Sequence, residues 1–331
     1  MTSRERVRRA VRFEGPDRVP VNLPGEWGND FWGVGASNDP NWKPAIQTDT
    51  QWEDEFGSTW TKLHGDKTMG QVTGYPLPDY ALIDTIRWPD YKNPVRYEAA
   101  KASVAQNTDE KFVLAGIPLS LIHRLEYLRG HQAAWTDPYE HPQELRALLD
   151  RLADIAIDSI DRFAEVGVDG IISCDDWGLQ DRPMLSPKTF AEFWKPVYHR
   201  IYRHAHEKGM LTLLHSCGHI ADLLDHFIEA ELDVIQMDQQ ENMGLDMLSE
   251  RFGGRICFWC PVDIQNTMVK GTIDDVRAYA RKLIDKLGSF NGGFIAQWYA
   301  SPQAVNHSPE KIEAMSQEFV EYGGQFYKPS V

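Results

Sequence analysis

His215 and Cys217 stand one residue apart in the stretch Leu211–Ile220, LTLLHSCGHI, and a glycine follows at once. Imidazole and thiolate are both metal-capable donors. A zinc ion takes about four such ligands, and a catalytic site leaves one place open. With Cys260 the pair forms a His/Cys/Cys set, and Asp176 can replace Cys260 or fill the fourth place. The bland reading of the same residues is a buried turn, because cysteine is among the most buried residue types and H-x-C lacks the paired spacing of strong zinc motifs. Asp176, Asn22 and Gln239 are assigned to the catalytic set, as polar groups at strand ends. Trp27, Trp32, Trp298 and Tyr299 are candidates for an aromatic substrate pocket, and His64 for orienting polar substituents. Cys174 and Cys257 read as core. His199, His204 and His206 read as a polar surface face without partner carboxylates, and His219 as the start of the next helix. The Asp175-Asp176 pair also suits a cap on the helix that follows.

The elements that position these residues alternate. From Phe112 onward, short apolar runs (KFVLAG, DGIISC, MLTLLHSC, DVIQMD, RICFWC, GGFIAQ) are separated by stretches of helical periodicity. One helix ends at Gly167, one opens at Ser186-Pro187 and runs to Gly209, and one is capped by Thr272 with Asp275 three residues on. Strict alternation implies parallel strands with crossover helices. RVPVNLP adds a seventh strand and one more is expected between Trp60 and Tyr75, so the fold is read as α/β, a (β/α)8 TIM barrel. No G-x-G-x-x-G follows the first strand, which argues against an open dinucleotide-binding sheet. Residues 24 to 95, rich in Trp, Gly, Pro and Asp, are expected to form long N-terminal loops over the barrel mouth, and residues 1–331 a single domain. Barrels carry their chemistry at the C-terminal ends of the strands, which is where Asn22, Asp176, His215, Asp238, Gln239, Cys260 and Gln297 fall.

Composition excludes several function classes. A net charge of -15 over 331 residues, with no long basic run, argues against nucleic acid. No stretch reaches the ~18 apolar residues of a membrane span, and the charged N-terminus lacks a signal peptide's apolar region. Four cysteines in a chain this long are not a disulfide framework, and a reducing cytoplasm is expected.

RERVRRAVRFEGPDRVPV near the start, the stretch from Gly167 through Gly209, LTLLHSCGHIADLLDHFIEAELDVIQMDQQ, and the stretch from Cys260 to Gly288 resemble the uroporphyrinogen decarboxylase superfamily. The resemblance implies a (β/α)8 barrel. The chain is most similar to the cobamide-dependent (corrinoid) methyltransferase branch, which holds zinc with an H-x-C pair and a later cysteine; His215 and Cys217 match the pair. The R-Q-A-G-R-Y motif of the decarboxylases is replaced here by PGEWGNDFW, and the last strand, GGFIAQWYAS, lacks the cysteine that the coenzyme M methyltransferases carry there. Cys260, one strand earlier, or Asp176 is left to complete the set. The resemblance therefore implies a zinc-dependent methyltransferase of the demethylase type. It would move a methyl group from a small methylated compound, such as a methoxylated aromatic, to the corrinoid (cobalamin) of a partner protein, with a homodimer as a further assembly. The rivals are a metal-independent decarboxylase using Arg124 and Arg182, and a non-catalytic binding protein on the same fold.

Overall fold

The computed structural model describes residues 1–65 and 70–328. Its main sheet contains β1 (Val21–Asn22) and β2 (Phe31–Gly35). A small antiparallel sheet of β3 (Gln51–Glu53), β4 (Thr59–Thr61) and β5 (Gln71–Gly74) follows. The main sheet resumes with β6 (Phe112–Gly116), β7 (Gly170–Cys174), β8 (Leu211–His215), β9 (Val234–Gln236), β10 (Cys257–Cys260) and β11 (Phe294–Gln297). The order is β1-β11-β10-β9-β8-β7-β6-β2, every neighbouring pair parallel. With helices around it, this is a (β/α)8 barrel. Asp30 closes the seam between β1 and β2: its N–H donates to the Val21 carbonyl at 2.8 Å and its carboxylate accepts the Val21 N–H at 2.8 Å.

The eighth barrel strand is β2, not a strand between Trp60 and Tyr75; that interval holds β4 and β5, in the small sheet. The segment over 24–95 is accordingly more than loops. It packs on the helix Leu121–Arg129, where Arg124 pairs with Asp54 at 2.7 Å and Ser58 donates to the Tyr127 carbonyl at 3.0 Å. Its described residues contribute no side chain to the cavity at the strand ends.

Strand alternation sorts the apolar side chains into two layers. Phe31, Phe112, Leu114, Leu211, Leu213, Val234, Cys257, Trp259 and Ile295 fill the barrel interior. Val113, Ala115, Ile171, Leu214, Ile235, Phe258, Cys260, Phe294 and Ala296 face the helices. Val7 and Val11, on the first helix Ser3–Val11, join the interior cluster. That helix is tied to the N-terminal side of β7 by Arg4 and Arg8, which reach Asp169 at 2.9 and 2.8 Å. One end of the barrel is thereby plugged and the other is left for chemistry.

The helix signals are largely realised. Pro142–Val166 ends at Gly167 in the left-handed conformation, and Ile273–Leu287 opens with a reciprocal Thr272/Asp275 capping box. The stretch from Ser186 is two helices, Pro187–Phe193 and Lys195–Glu207, rather than one. Pro196 lacks the N–H that would continue the first and its ring crowds the preceding turn. His199, His204 and His206 lie on the second helix and each faces a carboxylate, of Glu231, Asp161 and Asp233, at 3.3, 2.9 and 2.8 Å; these partners come from other elements, which the helix's own sequence does not show. Among the described residues no helix is long and apolar enough to cross a membrane.

Candidate active site

Cys174 and His215 are register partners at the C-terminal ends of β7 and β8, and Gln236 is the partner of His215 on β9. Their parity with Ile172, Leu213 and Val234 turns all three side chains into the barrel. Together with Asn22, Asp238, Trp259 and Gln297 they line a cavity of about 750 Å³ at the strand ends, walled further by Ile117, Leu119, Trp298 and Tyr299.

His215 is the centre of this group. Gln236 donates its amide N–H to Asp238 Oδ1 at 2.9 Å, so its carbonyl oxygen is the atom that faces His215 Nδ1. That contact places a proton on Nδ1, and in the neutral imidazole the lone pair is then on Nε2. Such an arrangement, ring N–H on a protein acceptor and the other nitrogen free, is how metal-binding histidines are held. The Cys217 thiol lies 3.3 Å from Nε2 and Asp176 Oδ1 lies 3.5 Å from it. Two sets of donor atoms, Cys174/Asp176/His215 and His215/Cys217/Asp238, each fall within 4.8 Å of one another.

The local sequence explains why the loop turns as it does. Gly218 has φ +81°, and a Cβ there would sit 2.2 Å from the Gly178 carbonyl oxygen; only glycine permits this crossing of the loops after β7 and β8. Asp176 Oδ1 accepts the Cys217 N–H at 2.8 Å, and Gln239 accepts the Gly218 N–H at 2.8 Å. The three loops after β7, β8 and β9 are therefore fastened to one another directly beneath the thiol.

Burial dominates the electrostatics. It pushes the Cys217 thiol well up, and Asp176 and Asp238 push it further. Cys174 is pushed up to about 12 by burial and then by Asp176, Asp175 and Asp238. Burial also raises Asp238, against the opposing pull of His215 and Gln236. No Lys or Arg among the described residues lines the cavity. A cavity lined by thiols and carboxylates without a cationic side chain could hold a divalent ion, whose charge would reverse these tendencies and draw the protons off. The spacing fits such an ion: tetrahedral bonds to imidazole, thiolate and carboxylate put donors roughly 3.3–3.6 Å apart, and the contacts at Nε2 are 3.3 and 3.5 Å.

The structure brings together His215, Cys217 and Asp176, with Asn22, Trp298 and Tyr299 on the cavity wall and Gln239 beneath the loop. It does not bring the others. Cys260 is fully buried on the helix-facing side of β10, in the outer core and outside both donor sets, because the alternation that turns Trp259 inward turns Cys260 out. Trp32 likewise points outward, donating to Ser103 Oγ at 3.0 Å. Trp27 packs against the outer core, and His64 is exposed in the turn after β4. Asp175 does not cap the helix after it. It accepts the N–H groups of Leu121 and Ile122, both at 2.9 Å, at the start of the helix Leu121–Arg129, and the Tyr198 hydroxyl at 2.5 Å. Cys174, read as core, opens onto the cavity. Gln236, Asp238 and Gln297 complete the site; the strand-end rule reaches Asp238 and Gln297, but nothing in the local sequence marks Gln236.

Comparison with known proteins agrees with this architecture. The family model described as uroporphyrinogen decarboxylase (URO-D) matches residues 65–322. A protein named uroporphyrinogen decarboxylase from Pseudoalteromonas translucida (strain TAC 125) is 24% identical over 159 residues, 46% of this chain. The match spans 42% of that protein's length. A solved structure described as a methyltransferase from Methanosarcina mazei superposes with a TM-score of 0.68 at 17% identity, covering 97% of this chain and 99% of the other. The family model covers most of the chain, and the chain belongs to the uroporphyrinogen decarboxylase family.

Proposed function

We propose that the chain is a metal-dependent methyltransferase that moves a methyl group from a small methylated compound, such as a methoxylated aromatic, to the corrinoid of a partner protein. The observation that carries this reading is the placement of His215, held through Nδ1 by Gln236, with Nε2 flanked by Cys217 and Asp176 at 3.3 and 3.5 Å on a cavity wall. Bound there, a zinc ion supplies Lewis acidity toward the oxygen or sulfur that the methyl group leaves. The chain's own residues do the rest. Gln236 fixes the imidazole, Asp176 and Gln239 hold the loop that carries the thiol, and Trp298 and Tyr299 offer flat apolar walls to a small ring. Asn22 and Gln297, paired on β1 and β11, give neutral polar contacts at the cavity. The corrinoid acceptor rests on the resemblance of the H-x-C motif.

The match to a protein named uroporphyrinogen decarboxylase favours a second reading, a metal-independent decarboxylase. Cationic side chains near the substrate carboxylates would be needed for it. Arg124 is instead paired with Asp54 at 2.7 Å and lies over the Phe56 ring, and Arg182 is 70% exposed beside Asp181. The deciding experiment is methyl transfer to cob(I)alamin from a panel of methoxylated aromatics, with metal content measured on the same oxygen-free preparations. Cys217→Ser is expected to lose the metal and at least ~100-fold of the rate. Full activity in chelator-treated, metal-free protein would overturn the metal-dependent reading.

A further inference from the structure

We propose that Cys174 is a ligand of the metal, so that the ion is held by two thiolates, one from the end of β7 and one from the loop after β8, on either side of His215 Nε2. The inference rests on the metal-centre reading above and adds to it the donor count and the class of ion.

Cys174 and His215 are paired across adjacent strands and face the same way, into the cavity. The Cys174 thiol, Asp176 and His215 have donor atoms within 4.8 Å of one another. The Cys217 thiol lies 3.3 Å from His215 Nε2. Nε2 has a single lone pair and serves one ion at a time. The two donor sets meet at His215, so an ion on this imidazole has a thiol from each set within reach. The remaining thiols cannot take this role. Cys257 is fully buried lower in the barrel interior and Cys260 faces the helices. The last strand ends in Gln297, without sulfur. On coordination each thiol releases its proton to solvent as its sulfur–metal bond forms, and no electron is transferred. A site with two thiolates and an imidazole selects a borderline-soft ion such as zinc or cobalt(II) over magnesium, calcium or manganese. The place left over falls to Asp176, Asp238 or substrate.

X-ray absorption of the zinc-loaded wild-type protein counts sulfur neighbours without any substitution, and two are expected; one overturns the proposal. In cobalt(II)-loaded protein, the thiolate-to-cobalt charge-transfer band is expected to fall by roughly half in Cys174→Ala and again in Cys217→Ala, while Cys257→Ala leaves it unchanged. A band lost with Cys217→Ala and unchanged with Cys174→Ala overturns Cys174 as a ligand but leaves a one-thiolate metal centre standing. Failure of the wild-type protein to bind either ion overturns both readings together.

Discussion

Gln236 and His215 are register partners on neighbouring strands, and their side chains meet end to end, amide oxygen to Nδ1. Because the amide nitrogen is committed to Asp238 at 2.9 Å, the pair behaves as a fixed clamp on the imidazole rather than a chance contact. Gln236→Leu removes the acceptor and frees the ring to turn. Metal affinity is expected to drop by about 10–100-fold, the usual cost of losing such a partner. Gln236→Glu, which keeps an acceptor facing Nδ1, should retain most of it. Competition with a chromophoric chelator reads both; wild-type affinity in the Leu variant would mean that the clamp is idle.

Asp175 is fully buried and serves structure next door to the metal donors. Asp175→Ala leaves the N–H groups of Leu121 and Ile122 and the Tyr198 hydroxyl without their acceptor. The loss is expected to be about 3 kcal/mol or more, since each buried orphan costs on the order of 1–3 kcal/mol. Urea unfolding of the metal-free protein measures it. Residual folded Asp175→Ala should still bind metal, whereas Asp176→Ala should lose affinity at little cost in stability.

The segment before β6 is anchored by a buried ion pair. Arg96 reaches both oxygens of Glu55 at 2.8 and 2.9 Å and also donates to the carbonyls of Ser37 and Asp90. Arg96→Met strands a buried carboxylate, and a destabilisation of about 3–5 kcal/mol is expected. The double variant Arg96→Met/Glu55→Gln should recover part of it. A double variant no more stable than Arg96→Met alone would show that the carbonyl contacts, not the charge, carry the anchor.

His206 titrates against Asp233. The carboxylate, 2.8 Å from Nε2, holds the imidazolium above its ordinary value of 6.5, with Glu231 adding to the effect and burial opposing it. A base whose folded-state value is raised binds its proton more tightly folded than unfolded. Its contribution is therefore complete below about pH 6.5 and fades as pH rises through the raised value. Unfolding free energy should fall with pH across that window in wild type, and less steeply in His206→Asn. Equal slopes in the two proteins would remove His206 from the account.

Much of this was legible in the residue order, and each failure has a physical cause. Alternation of strands and helices marked the barrel, and the strand-end rule brought out His215, Cys217 and Asp176. Parallel strands are buried on both faces, so CFWC and GIISC show no alternation from which to tell inward from outward. For that reason the residue order suggests the reverse of what is found: Cys260 lies in the outer core and Cys174 opens onto the cavity. The eighth strand, FWGVG, carries two glycines and was hidden in a Trp- and Gly-rich stretch. Gln236 has no local mark at all; its importance comes from the strand beside it.

The pairing of β1 with β11 sets Asn22 beside Gln297, residues from opposite ends of the chain, on the wall of one cavity. During synthesis the first strand must wait for nearly everything that follows before it meets its neighbour. Contacts of such long sequence separation form late. Until β11 is in place, the cavity at His215 lacks the wall that Gln297, Trp298 and Tyr299 supply. The chamber around the reactive groups is thus closed by the most sequence-distant strand pairing in the barrel.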